Sequence, residues 1–238
     1  MILQPSTPPY DFQAGATLLV DKPKDWTSFD VVNKIRFQLR RITGNKKIKV
    51  GHAGTLDPMA TGLLIICTGK FTKRLAELQG LPKTYSGTIQ LGATTPSYDA
   101  ETPIDKHYPT DHITTDLIEE KRQTFLGPQE QYPPMYSAIK VDGQPLYKKA
   151  RKGIMVEVKP RPVDIMQFDL TRVEVPEVDF EVACSKGTYI RSLAFDFGKA
   201  LGSGGYLTAL RRDSIGEYRL EDGWNLEEFV EVLEGMGA

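Results

Sequence analysis

Val178-Asp-Phe180-Glu-Val182-Ala-Cys184-Ser-Lys-Gly-Thr-Tyr189-Ile190-Arg191 changes its period part-way along. Over residues 178–184 apolar and polar side chains alternate, which puts Val178, Phe180, Val182 and Cys184 on one face of a strand. From Ile190 the apolar residues recur as Leu193, Ala194, Phe197 and Leu201, the spacing of one helix face. The segment therefore ends a strand and opens a helix, with Tyr189 and Arg191 at the helix N-terminus.

Outward from this point the same two periods recur. Met166-Phe168-Leu170 alternates, as do Tyr85, Gly87, Ile89 and Leu91, while Ala16–Asp21 and Leu63–Cys67 are short apolar strands. Thr27-Ser28-Phe29-Asp30 resembles a capping box, and Val31, Ile35, Leu39 and Ile42 continue at helical spacing until Gly44. Phe71, Leu75 and Leu78 suggest a short helix. Ile113–Leu126 reads as helical, stopped by Gly127-Pro128, and Asn225-x-x-Glu228 caps a final amphipathic helix. Strands joined mostly by irregular loops, with helices interspersed, predict an α+β fold rather than a doubly wound one. Residues 1–14, rich in Pro and polar residues, read as an extended or frayed arm. Residues 129–153 read as an excursion, with Pro133-Pro134, a turn at Asp142-Gly143 and the basic, aromatic cluster Tyr147–Lys152.

Charge is balanced in sum and uneven in place. The 238 residues carry a formal net charge of −1. From Val31 to Leu56, however, there are seven basic residues (Lys34, Arg36, Arg40, Arg41, Lys46, Lys47, Lys49) and no acidic one. Residues 138–162 add seven more against Asp142 and Glu157, and from Asp213 onward there are eight carboxylates and a single Arg. A basic face offset by an acidic tail fits a polyanion-binding surface. Cys67 and Cys184 lie in apolar runs and are expected as buried free thiols. Neither a leader-like start nor an apolar run of the ~18 residues a membrane span needs is present, so a soluble, cytoplasmic protein is expected.

Several chemistries lack their motifs. There is no GxxxxGK[ST] loop, no GxGxxG after a strand, no GxSxG elbow, and no metal-ligand pattern among His52, His107, His112 and the cysteines. Ser137-x-x-Lys140 matches the SxxK of serine acyl-enzymes without its SDN and KTG companions. What stands out is Gly51-His52-Ala53-Gly54-Thr55-Leu56-Asp57-Pro58. Two glycines allow a tight turn and close approach to a ligand, and Pro58 stiffens the chain after the carboxylate. Taken alone, Asp57 could equally be a turn aspartate accepting a backbone hydrogen bond.

Gly51–Pro58, Cys184–Arg191 and Leu210-Arg211-Arg212 together resemble the TruB family of tRNA pseudouridine-55 synthases. Asp21-Lys22-Pro23, Thr68–Lys73, Pro134–Lys140 and Leu146-Tyr147…Ala150-Arg151-x-Gly153 extend the likeness over nearly the whole chain. The resemblance implies the pseudouridine-synthase fold, a long mixed, mostly antiparallel sheet flanked by helices with the active cleft across its middle. It implies a single catalytic domain over 1–238, with the insertion at about 129–153 gripping the T-arm of tRNA. It implies Asp57 as the catalytic carboxylate, Arg191 as its ion-pair partner and Tyr85 as the stacking tyrosine and possible proton acceptor. Tyr189 and Leu210 would wall the pocket, His52 would sit neutral beside the flipped nucleotide, and Lys22 and Lys70 would meet phosphates. The isomerisation needs neither cofactor nor metal, and the family pattern implies no protein partner and a monomer. Two departures stand out. Thr95-Pro96-Ser97-Tyr98-Asp99-Ala100-Glu101 replaces the family's Thr-Asp-Thr before Asp-Ala-Glu, which puts the local loop geometry in question, although Ser97 keeps a hydroxyl. The chain also stops soon after Trp224, where many relatives continue into a PUA-type RNA-binding domain, so none is expected. A tRNA-folding chaperone, a synthase for another RNA and a serine acyl-enzyme using Ser137 are the competing readings.

Overall fold

The computed structural model of the chain describes residues 2–3 and 11–236. They form two compact units, one running to Tyr85 and resuming at Arg211, the other Ser86–Leu210. The strands Lys83–Leu91 and Gly205–Ile215 contribute residues to both.

In the first unit the central strand is Thr61–Thr68. It pairs antiparallel with Thr17–Lys22, Leu19 opposite Ile65, and with Val50–His52, and parallel with Arg211 and Arg212. The run Leu63–Cys67 is continuously apolar because both its faces are covered. Leu64 and Ile66 join Leu18 and Val20 of the adjoining strand, Ile35 and Leu39 of the helix Ser28–Thr43, and Phe229 of the helix Leu226–Gly235. Leu63, Ile65 and Cys67 pack instead with Leu19, Leu78 and Ile215. The first of these helices is capped as its sequence requires: Thr27 and Asp30 form a reciprocal box, and Gly44 ends it at φ 66°. Phe71, Leu75 and Leu78 fall on a 3-10 turn, Gly69–Arg74, that continues into the helix Leu75–Gly80.

Of the extended or frayed arm expected over residues 1–14, the described part is extended and anchored rather than frayed. The arm's residues 1 and 4–10 lie outside the described residues. Ile2–Leu3 pairs in parallel with Thr17 and Leu18, and Phe12 is buried, its carbonyl accepting from Thr68 Oγ1 at 2.9 Å.

In the second unit, Arg161–Glu174 and Glu177–Cys184 form a long antiparallel hairpin, Ile165 opposite Cys184 and Glu174 opposite Glu177. The strand Gly127–Gln131 pairs along residues 161–165 at the edge. Gly127-Pro128 thus does more than stop a helix. The helix Thr115–Gln123 has already ended, and the Pro is tolerated in a strand because it lies on the sheet edge. Gln129, Glu130 and Gln131 belong to that strand, so the excursion begins after them and contains the hairpin 140–145 and the helix Leu146–Ala150. Phe168 packs edge-on against Phe125, Phe180 and Phe197, the last from the helix Ile190–Ala200. That helix approaches so closely that a Cβ on Gly198 would lie 2.3 Å from the Gly205 nitrogen. Both units are sheet flanked by helices, mixed in the first, which is the α+β class expected. Among the described residues no helix is long and apolar enough to cross a membrane.

Candidate active site

The loop carrying Asp57 is tied down along its length. Ala53 N donates to Ile65 O at 2.8 Å, holding the loop's start against the central strand. Gly54 adopts φ 96°, a conformation open to glycine, and its carbonyl accepts from Arg212 Nη2 at 3.1 Å. Ser28, in the first turn of the helix 28–43, bonds both main-chain groups of Leu56: it accepts from Leu56 N at 2.8 Å and donates to Leu56 O at 3.2 Å. Beyond the carboxylate, Pro58 O accepts from Asp25 N and from Lys22 Nζ. Asp57 itself is half-buried, and its carbonyl accepts from Ala60 N. The backbone on both sides of the carboxylate is thus fixed.

Lys22 was expected at a phosphate, and the structure corrects this. The residue is fully buried, and its ammonium donates to Pro23 O, Trp26 O and Pro58 O at 2.8, 2.6 and 3.2 Å. It is a post beneath the Asp57 loop, inaccessible to RNA. Burial pushes its pKa from 10.5 down to about 8, with the negative charge of Asp57 pulling the other way. Between about pH 8 and 10.5 the folded chain then holds fewer protons here than the unfolded chain, so this group's contribution to stability grows as pH rises and is lost as pH falls through about 8. In urea melts the stability difference between wild type and Lys22→Met should shift toward wild type across that window. A difference independent of pH would show that Lys22 is not titrating as described.

His52, half-buried on the strand Val50–His52, is held neutral chiefly by burial, with Gly54's backbone opposing and Arg212 reinforcing the downward shift. Desolvation is the larger cause of that shift and the Arg212 charge a smaller one. Lys70 is exposed, and Tyr85 is buried on the strand Lys83–Leu91.

In the second unit, Arg191 is not a surface helix-start arginine. It is 3% exposed, with Nη1 donating to Ser97 O at 2.9 Å, Nη2 to Tyr136 O at 2.8 Å, and Nε 3.5 Å from Asp99 Oδ2. Asp99 is fully buried, and its other oxygen accepts from Ser97 Oγ at 2.6 Å and Glu101 N at 2.9 Å. The hydroxyl that Ser97 keeps is therefore in use: it also bonds the Thr102 hydroxyl at 2.7 Å, and this closes the loop around Asp99. Tyr189 is the N-cap residue of the helix Ile190–Ala200. Gln131 clamps its backbone, donating to Tyr189 O at 3.0 Å and accepting from its N at 2.8 Å, while the Arg161 guanidinium lies 4.2 Å over its ring. Leu210 is buried on the strand Gly205–Ile215.

A family model described as the N-terminal domain of TruB family pseudouridylate synthases matches residues 40–190. The chain belongs to the TruB family. It is 54% identical to a Flavobacterium johnsoniae protein named tRNA pseudouridine synthase B over 95% of this chain and 99% of that one. A protein of the same name from Phocaeicola vulgatus is 55% identical over 94% of this chain and 95% of its own length. The fold is similar to a solved chain in a Cbf5-Nop10-Gar1 complex, with TM-score 0.68 and 27% identity over 92% of this chain. This TruB-family chain spans about half, 54%, of that longer one.

Two supporting residues of this TruB-family chain escaped the sequence reading. Arg212, 1% exposed, donates through Nε to Leu63 O at 2.8 Å as well as to Gly54 O, bracing the Asp57 loop from the central strand. Asp99 sits beside Arg191 as a fully buried carboxylate. The Leu210-Arg211-Arg212 triplet was a usable signal for the first. For the second the signal was the acidic residue in a loop noticed only for its departure from the family pattern.

Proposed function

We propose that the protein isomerises uridine-55 in the T loop of tRNA to pseudouridine, without cofactor or protein subunit, and that both units act as one catalytic domain. The observation that carries this is the braced Asp57 loop in a chain 54% identical, end to end, to a relative named tRNA pseudouridine synthase B. The reaction breaks the N1–C1′ bond, turns the uracil and joins C5 to C1′; the C5 proton leaves and N1 gains one, so no redox equivalent is consumed. Asp57 either attacks C1′ or takes the C2′ proton on a glycal route, and both need an ionised carboxylate. Arg191 pairs with it and sets its direction, since a two-pronged guanidinium favours the charged carboxylate. The target base must first be extruded at a cost of a few kcal/mol. Tyr85 then stacks on it and accepts the proton, Tyr189 and Leu210 wall the pocket, and His52 fills space beside it as a neutral group. Site-resolved pseudouridine mapping on an unmodified tRNA transcript, with pure protein and nothing added, tests the reading. Product at position 55 supports it, and product elsewhere or none overturns it.

RNA affinity comes from the two basic stretches, 34–49 and the insertion. In the insertion Tyr147, Lys148, Arg151 and Lys152 line a cleft of about 660 Å³, and the Arg151 guanidinium lies 5.6 Å from the Tyr147 ring. Lys149 already meets Asp142 at 2.9 Å, and Arg151 meets Glu101 at 3.1 Å. Replacing Lys148, Lys149, Arg151 and Lys152 with Ala should therefore lower the salt slope of T-arm binding by roughly two phosphate contacts rather than four, just under ~2 units. KM should rise and kcat on saturating RNA should be largely kept. An unchanged slope and affinity would make the insertion a solvated charged loop.

A further inference from the structure

The helix Ser28–Thr43 buries Val31, Val32, Ile35 and Leu39, yet its opposite face carries Phe29 and Phe37, 59% and 61% exposed. Two turns separate these rings, and Asn33, Arg36 and Arg40 lie on the same side. Arg36 is held in place there: Nη2 donates to Val50 O and Nη1 to Asn33 Oδ1, both at 2.9 Å, and its guanidinium carbon is 5.9 Å from the Phe29 ring centroid. Lys34, Arg40, Lys46 and Lys47 are exposed around this face. The acids that meet this helix are engaged: Asp30 is occupied in the helix cap, bonding Thr27 N at 2.9 Å, and Glu234 accepts from Gln38 Nε2 at 2.6 Å. Isolated exposed aromatics are ordinary, but a stripe of them interleaved with cations is the composition of a nucleotide-stacking platform.

The face also begins in a particular place. Ser28 bonds both backbone groups of Leu56, the residue before Asp57, so the helix starts at the catalytic loop and runs about 24 Å from it. The seven bases and no acids between Val31 and Leu56 favour a polyanion as occupant over a protein.

We propose that this face, with Phe29 and Phe37 as its stacking positions, is a second RNA-contact surface that takes unpaired nucleotides of the substrate lying outside the T-arm. The inference rests on the function proposed above and extends it from the presented hairpin to the rest of the folded RNA.

The test compares binding of an unmodified full-length tRNA transcript and of its isolated T-arm hairpin by wild type, by Phe29→Ser/Phe37→Ser and by Phe37→Ser alone. Wild type should bind the full-length RNA more tightly than the hairpin. The double variant should lose about ten-fold or more of full-length affinity and much less for the hairpin, so the preference collapses. Its salt slope should stay at the wild-type value, because a neutral-for-neutral change releases no counterion. Far-UV circular dichroism and thermal melts monitor folding. Phe37→Ser keeps the Arg36–Phe29 contact and carries the test if the double variant melts early. Equal full-length affinity in variant and wild type, or no wild-type preference for the longer RNA, overturns the proposal. Unchanged RNA binding together with loss of a protein partner would reassign the face to protein and overturn it equally. Pseudouridine mapping on the hairpin with wild type separates the two claims: no product alongside a collapsed preference would sink the enzyme reading and leave the surface standing.

Discussion

Asp57→Asn is expected to abolish pseudouridine formation while tRNA affinity stays within a few-fold of wild type. Asn keeps the size of the side chain and removes only the charge. The backbone that holds the loop does not depend on that charge: Ser28, Lys22, Asp25 and Arg212 all bond main-chain groups of residues 54–58. The substitution should therefore keep the loop's backbone in place and act chiefly on chemistry, with stability lowered only by what the buried Lys22 ammonium loses with that charge. Measured turnover in rigorously purified Asp57→Asn, by mapping on a full-length transcript, would remove Asp57 from the mechanism. The same variant separates the enzyme from a tRNA-folding chaperone, which needs the RNA surface and has no use for the carboxylate.

The second large effect belongs to Arg191, where stability and rate are expected to part company. Arg191→Met removes the cation beside a fully buried Asp99 and takes donors from Ser97 O and Tyr136 O. Breaking a buried pair from one side costs about 3–5 kcal/mol, so this variant should be measurably less stable in urea. Arg191→Lys keeps one charge, but its ammonium is a compact point without the planar fork whose separate nitrogens reach Ser97 O, Tyr136 O and Asp99. It should fold and still lose most of its rate. Adding Asp99→Asn to Arg191→Met should recover part of the stability and none of the activity. A near-wild-type rate for Arg191→Lys at every pH would show that the guanidinium does not pair with Asp57. Full activity in the stabilised double variant would confine Arg191 to a structural role.

Much of the architecture was legible because it is written in periods. The alternation at 178–184, the helical spacing after Ile190 and the Thr27–Asp30 cap each survive as the elements they predict. The strand Gly205–Ile215 was not legible, because Arg211-Arg212-Asp213 interrupts any apolar alternation just where the strand pairs with Thr61 and Gly62. Pro128 misled in the opposite sense: a helix-stopping residue also fits an edge strand that needs no donor at that position.

The sequence by itself determined the α+β class, the TruB-family likeness and the short contiguous loop that presents Asp57. All three depend on residue type at fixed spacing. Only the tertiary structure decided where the buried charges go. Lys22, expected at a phosphate, is fully buried, although lysines almost never are. Its ammonium instead ends on three carbonyls, one of them supplied by Pro58 far along the chain. Arg212 ends on Gly54 O and Leu63 O, and Arg191 on Ser97 O and Tyr136 O. Every residue carries the same carbonyl, so a cation that bonds backbone leaves no signature in the identity of its partners. Its destination is fixed only when the fold turns particular carbonyls inward and leaves them needing a donor.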